Sequence, residues 1–337
     1  MRAGAARAVA AAWVRAYAAR EPGVEGALLS GSVLGMAAGE VVPPWSDVDV
    51  LVVRSEPAEK LGKFRWGGVL LEVTFVTWED LGSPEDVLGS FVFAGCFRGD
   101  GVLLDPTGRL AWLRARVSAG FADAVWVRRR CAGVRARIEA GLRGVGDSGA
   151  LHEQVTGWLF PTSLTAVLPL VAGLVEPTVR RRYVVAREVL AAYGLVDRYV
   201  AVLDLLDGGG VSADRVAGHL AGLARTFDVA AQVARTRFFF SADITPAGRV
   251  VAVDGSAALV SAGCHREAMF WIVATYARCH AVLAVDAPER GVELAPAFEA
   301  AVADLGVSSA ADRRRRADEV LAFLPGWWAT VEQIVGR

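Results

Sequence analysis

Between Leu28 and Val53 the chain reads LLSGSVLGMAAGEVVPPWSDVDVLVV, an apolar run closed by Gly31-Ser32 and a second apolar run opened by Asp47 and Asp49. Few folds accommodate that order. Side chains alternate across a strand, so Asp47 and Asp49 share one face of the second run while Val48 and Val50 share the other. Pro43-Pro44 forbids a regular strand just upstream, which puts the aspartates at the start of theirs. Mg²⁺ takes oxygen ligands, commonly one or two protein carboxylates plus substrate phosphates, and this pair offers the former. Gly31 lets the backbone come close to a phosphate, and Ser32 with nearby amides can donate to its oxygens. The chemistry expected is metal-assisted transfer from a nucleoside triphosphate, ATP or another NTP.

A third carboxylate is expected on a neighbouring strand. Val69–Val76 carries β-branched and aromatic residues on both sides of one charge, Glu72. An acid in such a run is costly unless paired or metal-bound. The alternative is an edge strand that shows Glu72 to water. With Glu72 included, three carboxylates suit two Mg²⁺ ions that clamp the attacking and leaving oxygens of an in-line displacement.

A chain of 337 residues is long enough for two domains, each with its own core. The net charge of −1 leaves no polyanion footprint, so nucleic acid is not the expected acceptor. Cys96, Cys131, Cys264 and Cys279 lack metal or disulfide-framework spacing and read as buried thiols of a cytoplasmic protein. The histidines are equally scattered, which argues against zinc. Val9, Trp13 and Tyr17 mark an amphipathic helix ending near Pro22 and packed on the first strand. Gln154–Val175 is uncharged over most of a membrane-span length. Pro161, Pro169 and several threonines favour a buried helix there, and no second such segment is expected.

From Gly26 to Asp105 the texture is α/β. Strands are expected at Gly26–Leu29, Asp49–Val53, Val69–Thr77 and Val102–Leu104, with Thr77 and Asp80 forming a capping box and a last helix within Phe91–Leu104. After Gly108 the period turns helical, with one helix carrying Leu110, Leu113, Val117 and Phe121 past Val127. The reading is thus an α/β domain over residues 1–118, a mixed sheet with flanking helices, followed by a mainly helical domain over 119–337. Within the latter, Arg237–Ser241 and Arg249–Val253 bracket a turn-like segment and predict a β-hairpin. Arginine clusters at 128–130, 180–182 and 313–316 read as solvated helix faces, the last paired locally with Asp312, Asp318 and Glu319.

Gly-Ser followed by Ser-Asp-Val-Asp on the next strand resembles the nucleotidyltransferase superfamily. Val69–Leu81, Cys96–Gly108 and Leu159–Thr165 are similar, more narrowly, to segments of kanamycin-type aminoglycoside nucleotidyltransferases. Gly263–Trp271 resembles uncharacterised nucleotidyltransferase-like proteins. The resemblance implies a homodimer that uses Mg²⁺ to move a nucleoside monophosphate to a hydroxyl of a small, aminoglycoside-like acceptor, an activity of antibiotic resistance. It implies further that Asp47, Asp49 and Glu72 hold the metals while Gly31 and Ser32 hold the triphosphate. Glu139 would be the base, with Glu153 as runner-up, and Arg143, one helical turn beyond Glu139, an electrostatic clamp. The alternative for Glu139–Arg143 is an ordinary surface ion pair.

Two departures stand out. The loop Val33–Gly39 lacks the arginine usual in the family, and the gap from Ser32 to Asp47 is longer, with Pro43-Pro44-Trp45 inside it. Two further readings use the same residues, a toxin-type enzyme acting on tRNA or protein, and a degenerate nucleotide-binding sensor.

Overall fold

The structure, a computed structural model, describes all residues Met1–Arg337 and divides into two compact units, Met1–Arg130 and Cys131–Arg337. The first unit opens with α1 (Ala3–Ala18), β1 (Val24–Ser30), the five-residue α2 (Gly31–Gly35) and β2 (Val48–Arg54). It continues with β3 (Gly62–Trp66), β4 (Val69–Thr77), α3 (Trp78–Leu81), α4 (Pro84–Gly89), β5 (Val102–Leu104) and α5 (Arg109–Gly120). The strands form one mixed sheet in the order β3-β4-β2-β1-β5, with β2 and β4 parallel and every other pair antiparallel.

Alternation along these strands builds two cores. Leu29, Val50, Val52, Leu71 and Val73 face α1, where Trp13 and Tyr17 stack on each other and reach Phe64 and Phe75. Leu28, Leu51, Val53 and Val76 face the opposite way, toward Val87, Phe97, Leu110, Leu113 and Val117. Helix α5 supplies three of those residues, and the first unit runs on to Arg130, past the expected boundary at residue 118. Thr77 and Asp80 form the expected capping box, with the Asp80 amide donating to Thr77 Oγ1 at 3.2 Å and the Thr77 amide to Asp80 Oδ2 at 2.8 Å.

The helix expected to run past Val127 breaks at Phe121. Asp123 then accepts the amides of Trp126 and Val127 and starts α6 (Ala124–Arg143), which begins in the first unit and ends in the second. Phe91–Leu104 holds only a single 3₁₀ turn, Ala94–Phe97, before β5.

The second unit is helical throughout. It comprises α7 (Leu151–Ser163), α8 (Val167–Ala172), α9 (Arg182–Ala192), α10 (Tyr199–Asp207), α11 (Ala213–Val233), α12 (Gly255–Ser261), α13 (His265–Asp286), α14 (Pro288–Asp304) and α15 (Ala310–Val335). The expected β-hairpin is absent. The Arg249 amide donates to Thr245 O and the Ala252 amide to Gly248 O, so residues 245–254 coil into a turn that leads into α12. Phe240, Ile244, Ala252 and Val253 are buried against Phe227 and Leu283. A short Val/Ala run has no period that separates a buried strand from a buried helix, and local hydrogen bonds decide it here.

The arginine clusters are not simply solvated. Arg130, Arg182, Arg313 and Arg316 are buried. Carbonyls satisfy them: Arg130 donates to Leu88 O and Phe121 O, Arg182 to Val179 O, Arg313 to Val307 O, and Arg316 to Asp204 O and Leu205 O. A guanidinium carries five donors, so it can be buried where several carbonyls converge. Arg315 and Arg316 also pair with Glu319, as the sequence indicated. Two helical segments, not one, are long and apolar enough to cross a membrane, Leu151–Ala172 and His265–Asp286, and both are mostly buried in the helical core.

Candidate metal centre

Strand register assembles the site. Ser30 pairs with Asp49 across β1 and β2, Asp49 with Glu72 across β2 and β4, and Glu72 with Lys63 across β4 and β3. Directly paired residues share a face. Ser30, Asp49, Glu72 and Lys63 therefore form one row across four strands, on the face that also carries Leu28, Leu51 and Val53. Asp47, just before β2, joins Asp49 by the two-residue period. One carboxylate oxygen from each of Asp47, Asp49 and Glu72 lies within 4.8 Å of the others. The edge-strand alternative for Glu72 fails, because β4 lies between β3 and β2.

Like charges placed side by side destabilise a sheet unless something offsets them. Two lysines supply the offset. Lys63 Nζ lies 3.2 Å from Asp47 Oδ2 and also binds Glu72 Oε2, while Lys60 binds Glu72 Oε1. Burial of Glu72 opposes its charge, but the ammoniums of Lys63 and Lys60 outweigh that and hold its carboxyl down at about 2. Asp49 accepts no such bond. Burial, reinforced by the charges of Asp47 and Glu72, pushes its carboxyl well above the ordinary range, and burial raises Asp47 as well. An oxygen-only cluster with one strongly penalised, unpartnered carboxylate fits a hard divalent cation such as Mg²⁺.

Gly31 completes the site from the side of β1. Its φ of +63° is the left-handed region, and a Cβ there would collide with Asp49 Oδ2. Only glycine lets the main chain lie against that carboxylate. Ser32 follows on α2 and is exposed. From beneath, Arg7 of α1 donates to Val33 O (2.7 Å) and Leu34 O (3.3 Å) and also to Met36 O, which ties down the end of the short turn. Ser30 Oγ contacts Cys96 Sγ at 3.2 Å, and all four cysteines are buried with no disulfide between them.

The structure thus brings together Gly31, Asp47, Asp49 and Glu72, with Ser32 adjacent in sequence. Glu139 and Arg143 belong to the second unit, where they form an ion-pair group with Arg135 on α6. Glu139 accepts from Arg135 Nε at 2.8 Å and from Arg143 at 3.0 Å, and these bonds, Arg135 first, lower its pKa. Glu153 caps α7, its carboxylate accepting the Ala150 amide at 2.8 Å.

Lys60, Lys63 and Arg7 were not anticipated from the sequence. Lys63 sits on β3, which Lys63-Phe64-Arg65-Trp66-Gly67-Gly68-Val69 announces by alternation followed by a Gly-Gly turn. Both glycines have positive φ, +54° and +79°. Arg7 has no such local signal, since its partners lie 26 to 29 residues away.

No family model matches this chain, and no curated protein or solved structure is a significant match to it.

Proposed function

We propose that this chain is a Mg²⁺-dependent nucleotidyltransferase that moves a nucleoside monophosphate from ATP or another NTP to a hydroxyl of a small molecule and releases pyrophosphate. One observation carries the proposal: Asp47, Asp49 and Glu72 converge from adjacent parallel strands, within 4.8 Å, beside a glycine that no other residue can replace without a clash. The order of Gly-Ser and the acidic strand along the chain supports it.

In this reading Asp47, Asp49 and Glu72 hold the divalent cation, whose charge, when bound, stabilises the phosphoryl oxygens as charge builds on them. The Gly31 backbone and the Ser32 hydroxyl meet the triphosphate. The acceptor oxygen attacks the α-phosphorus, the bond to the pyrophosphate oxygen breaks, and the hydroxyl proton passes to a carboxylate, for which Glu139 is proposed with Arg143 as its cationic neighbour. Arg135 and Arg143 lower the pKa of Glu139, which keeps it ionised but also weakens it as a base. The aminoglycoside-like acceptor and the homodimer follow from the family resemblance.

The lysines favour one second reading. Lys63 and Lys60 already neutralise Glu72, as they would in a nucleotide-binding module that performs no transfer. Pyrophosphate release decides between the two. With Mg²⁺, each NTP in turn and a small-molecule extract, the enzyme reading predicts release that chelation and Asp49→Asn both abolish. Nucleotide binding without release favours the module.

A further inference from the structure

Both oxygens of Glu72 are engaged by ammonium groups, Oε1 by Lys60 and Oε2 by Lys63, and Lys63 reaches across to Asp47 Oδ2 at 3.2 Å. Lys63 is not a loose surface lysine. Its side chain is only 6% exposed, and the next residue, Phe64, is fixed on the other face of the sheet against Trp13, with ring centroids 5.4 Å apart. The Lys63 ammonium therefore lies between two of the three carboxylates, where a cation shared by Asp47 and Glu72 would lie. Asp49, with the remaining oxygen of Asp47, is the part of the cluster left for an ion.

Charge points the same way. Three carboxylates against two ammoniums leave one negative charge. Without triphosphate, one divalent ion takes the cluster to plus one and a second to plus three, around carboxylate oxygens that lie within 4.8 Å of one another. Unlike charges gain strongly at such distances and like charges lose as strongly.

We propose that Lys63 is a built-in cation that takes the place of a second metal ion, so that the site binds one divalent cation through Asp47 and Asp49. The inference rests on the metal-dependent reading above and revises both the number of ions and the ligand set, in which Glu72 becomes the partner of Lys60 and Lys63 and not a ligand. Lys63 is a positioning residue here: it holds Glu72 and Asp47 in place beside the single ion and makes the site independent of a second.

The test counts ions. Mn²⁺ alone, titrated into the full-length protein and followed by the electron paramagnetic resonance of the free ion, is expected to give one site per chain in the wild type. Lys63→Met preserves the length of the side chain and removes its charge, and it is expected to bind two. Lys63→Gln serves as a second variant, with circular dichroism to show that each is folded. Lys60→Met, which leaves Lys63 in place, is expected to stay at one. Two ions in the wild type overturn the inference while leaving the metal-dependent reading intact, and so does a single ion in both Lys63 variants. No ion in the wild type overturns both.

Discussion

The main chain at Gly31 lies against the carboxylate of Asp49 so closely that a single added carbon would collide with Oδ2. Gly31→Ala therefore has two costs. The positive φ costs about 1 kcal/mol for any L-residue, and the new methyl must push Asp49 out of line with Asp47 and Glu72. The variant is expected to melt a few degrees lower and to lose Mn²⁺ binding and transfer together. Full activity at a lowered Tm would mean that the close approach serves stability alone.

Asp49 and Glu72 are neighbours in one cluster, yet substituting them should move stability in opposite directions. Asp49 has no partner, and its raised pKa means that ionising it costs the fold free energy above the ordinary carboxylate range. In chelator at neutral pH, Asp49→Asn is thus expected to raise Tm while abolishing transfer. Glu72→Gln leaves the buried Lys63 short of a partner and is expected to cost about 1–3 kcal/mol. Thermal melts of the two variants side by side measure this, and a fall in Tm for Asp49→Asn would contradict the electrostatic account. Asp47→Asn should also abolish transfer, since an amide is a poor ligand for Mg²⁺.

How much of this was legible in the sequence follows from the range of the forces involved. The span of β4 was readable residue for residue, because Glu72 stands alone in a β-branched run bounded by turn chemistry. Asp47, Asp49 and Gly31 were readable from period and backbone demand. Strand β3 escaped because Lys63-Phe64-Arg65-Trp66 is short and charged, and with it went Lys63, the residue that neutralises the cluster. The buried arginines escaped because their carbonyl partners are set by tertiary contacts, as with Arg316 and Leu205, 111 residues apart. Helix α14 escaped because Pro288 and Pro296 look like breakers, although Pro288 stands at its first turn, where no amide is needed.

Glu139 carries a sharper expectation. If it accepts the proton, Glu139→Gln lowers the single-turnover rate by roughly 10²–10⁴ while NTP affinity stays near the wild-type value. Rapid-quench kinetics and equilibrium binding measure the two separately. An unchanged rate would reduce Glu139 to an ion pair with Arg135 and Arg143, and a loss confined to Glu153→Gln would move the role to Glu153.

His280 gives the helical unit a pH signature. It is buried and stacked on Phe298 with ring centroids 4.9 Å apart, and burial, aided by the charge of His152, lowers its pKa to about 4. The unfolded chain binds this proton below about 6.5 and the folded chain does not. Stability is therefore complete above pH 6.5 and falls as pH drops toward 4, by up to roughly 3 kcal/mol from this group. Urea melts between pH 7 and 4.5 should show the decline, and His280→Gln should flatten it. An equal slope in both proteins would place the loss elsewhere.

The central claim, nucleotidyl transfer to a small molecule, is tested most directly by mass. The protein is incubated with Mg²⁺, an isotopically labelled NTP and a whole-cell extract that retains its RNA and metabolites, and every product fraction is searched for an added nucleoside monophosphate. The account predicts labelled small molecules with the wild type and none with Asp49→Asn. Label confined to RNA or protein, or no transfer from any NTP, would contradict it.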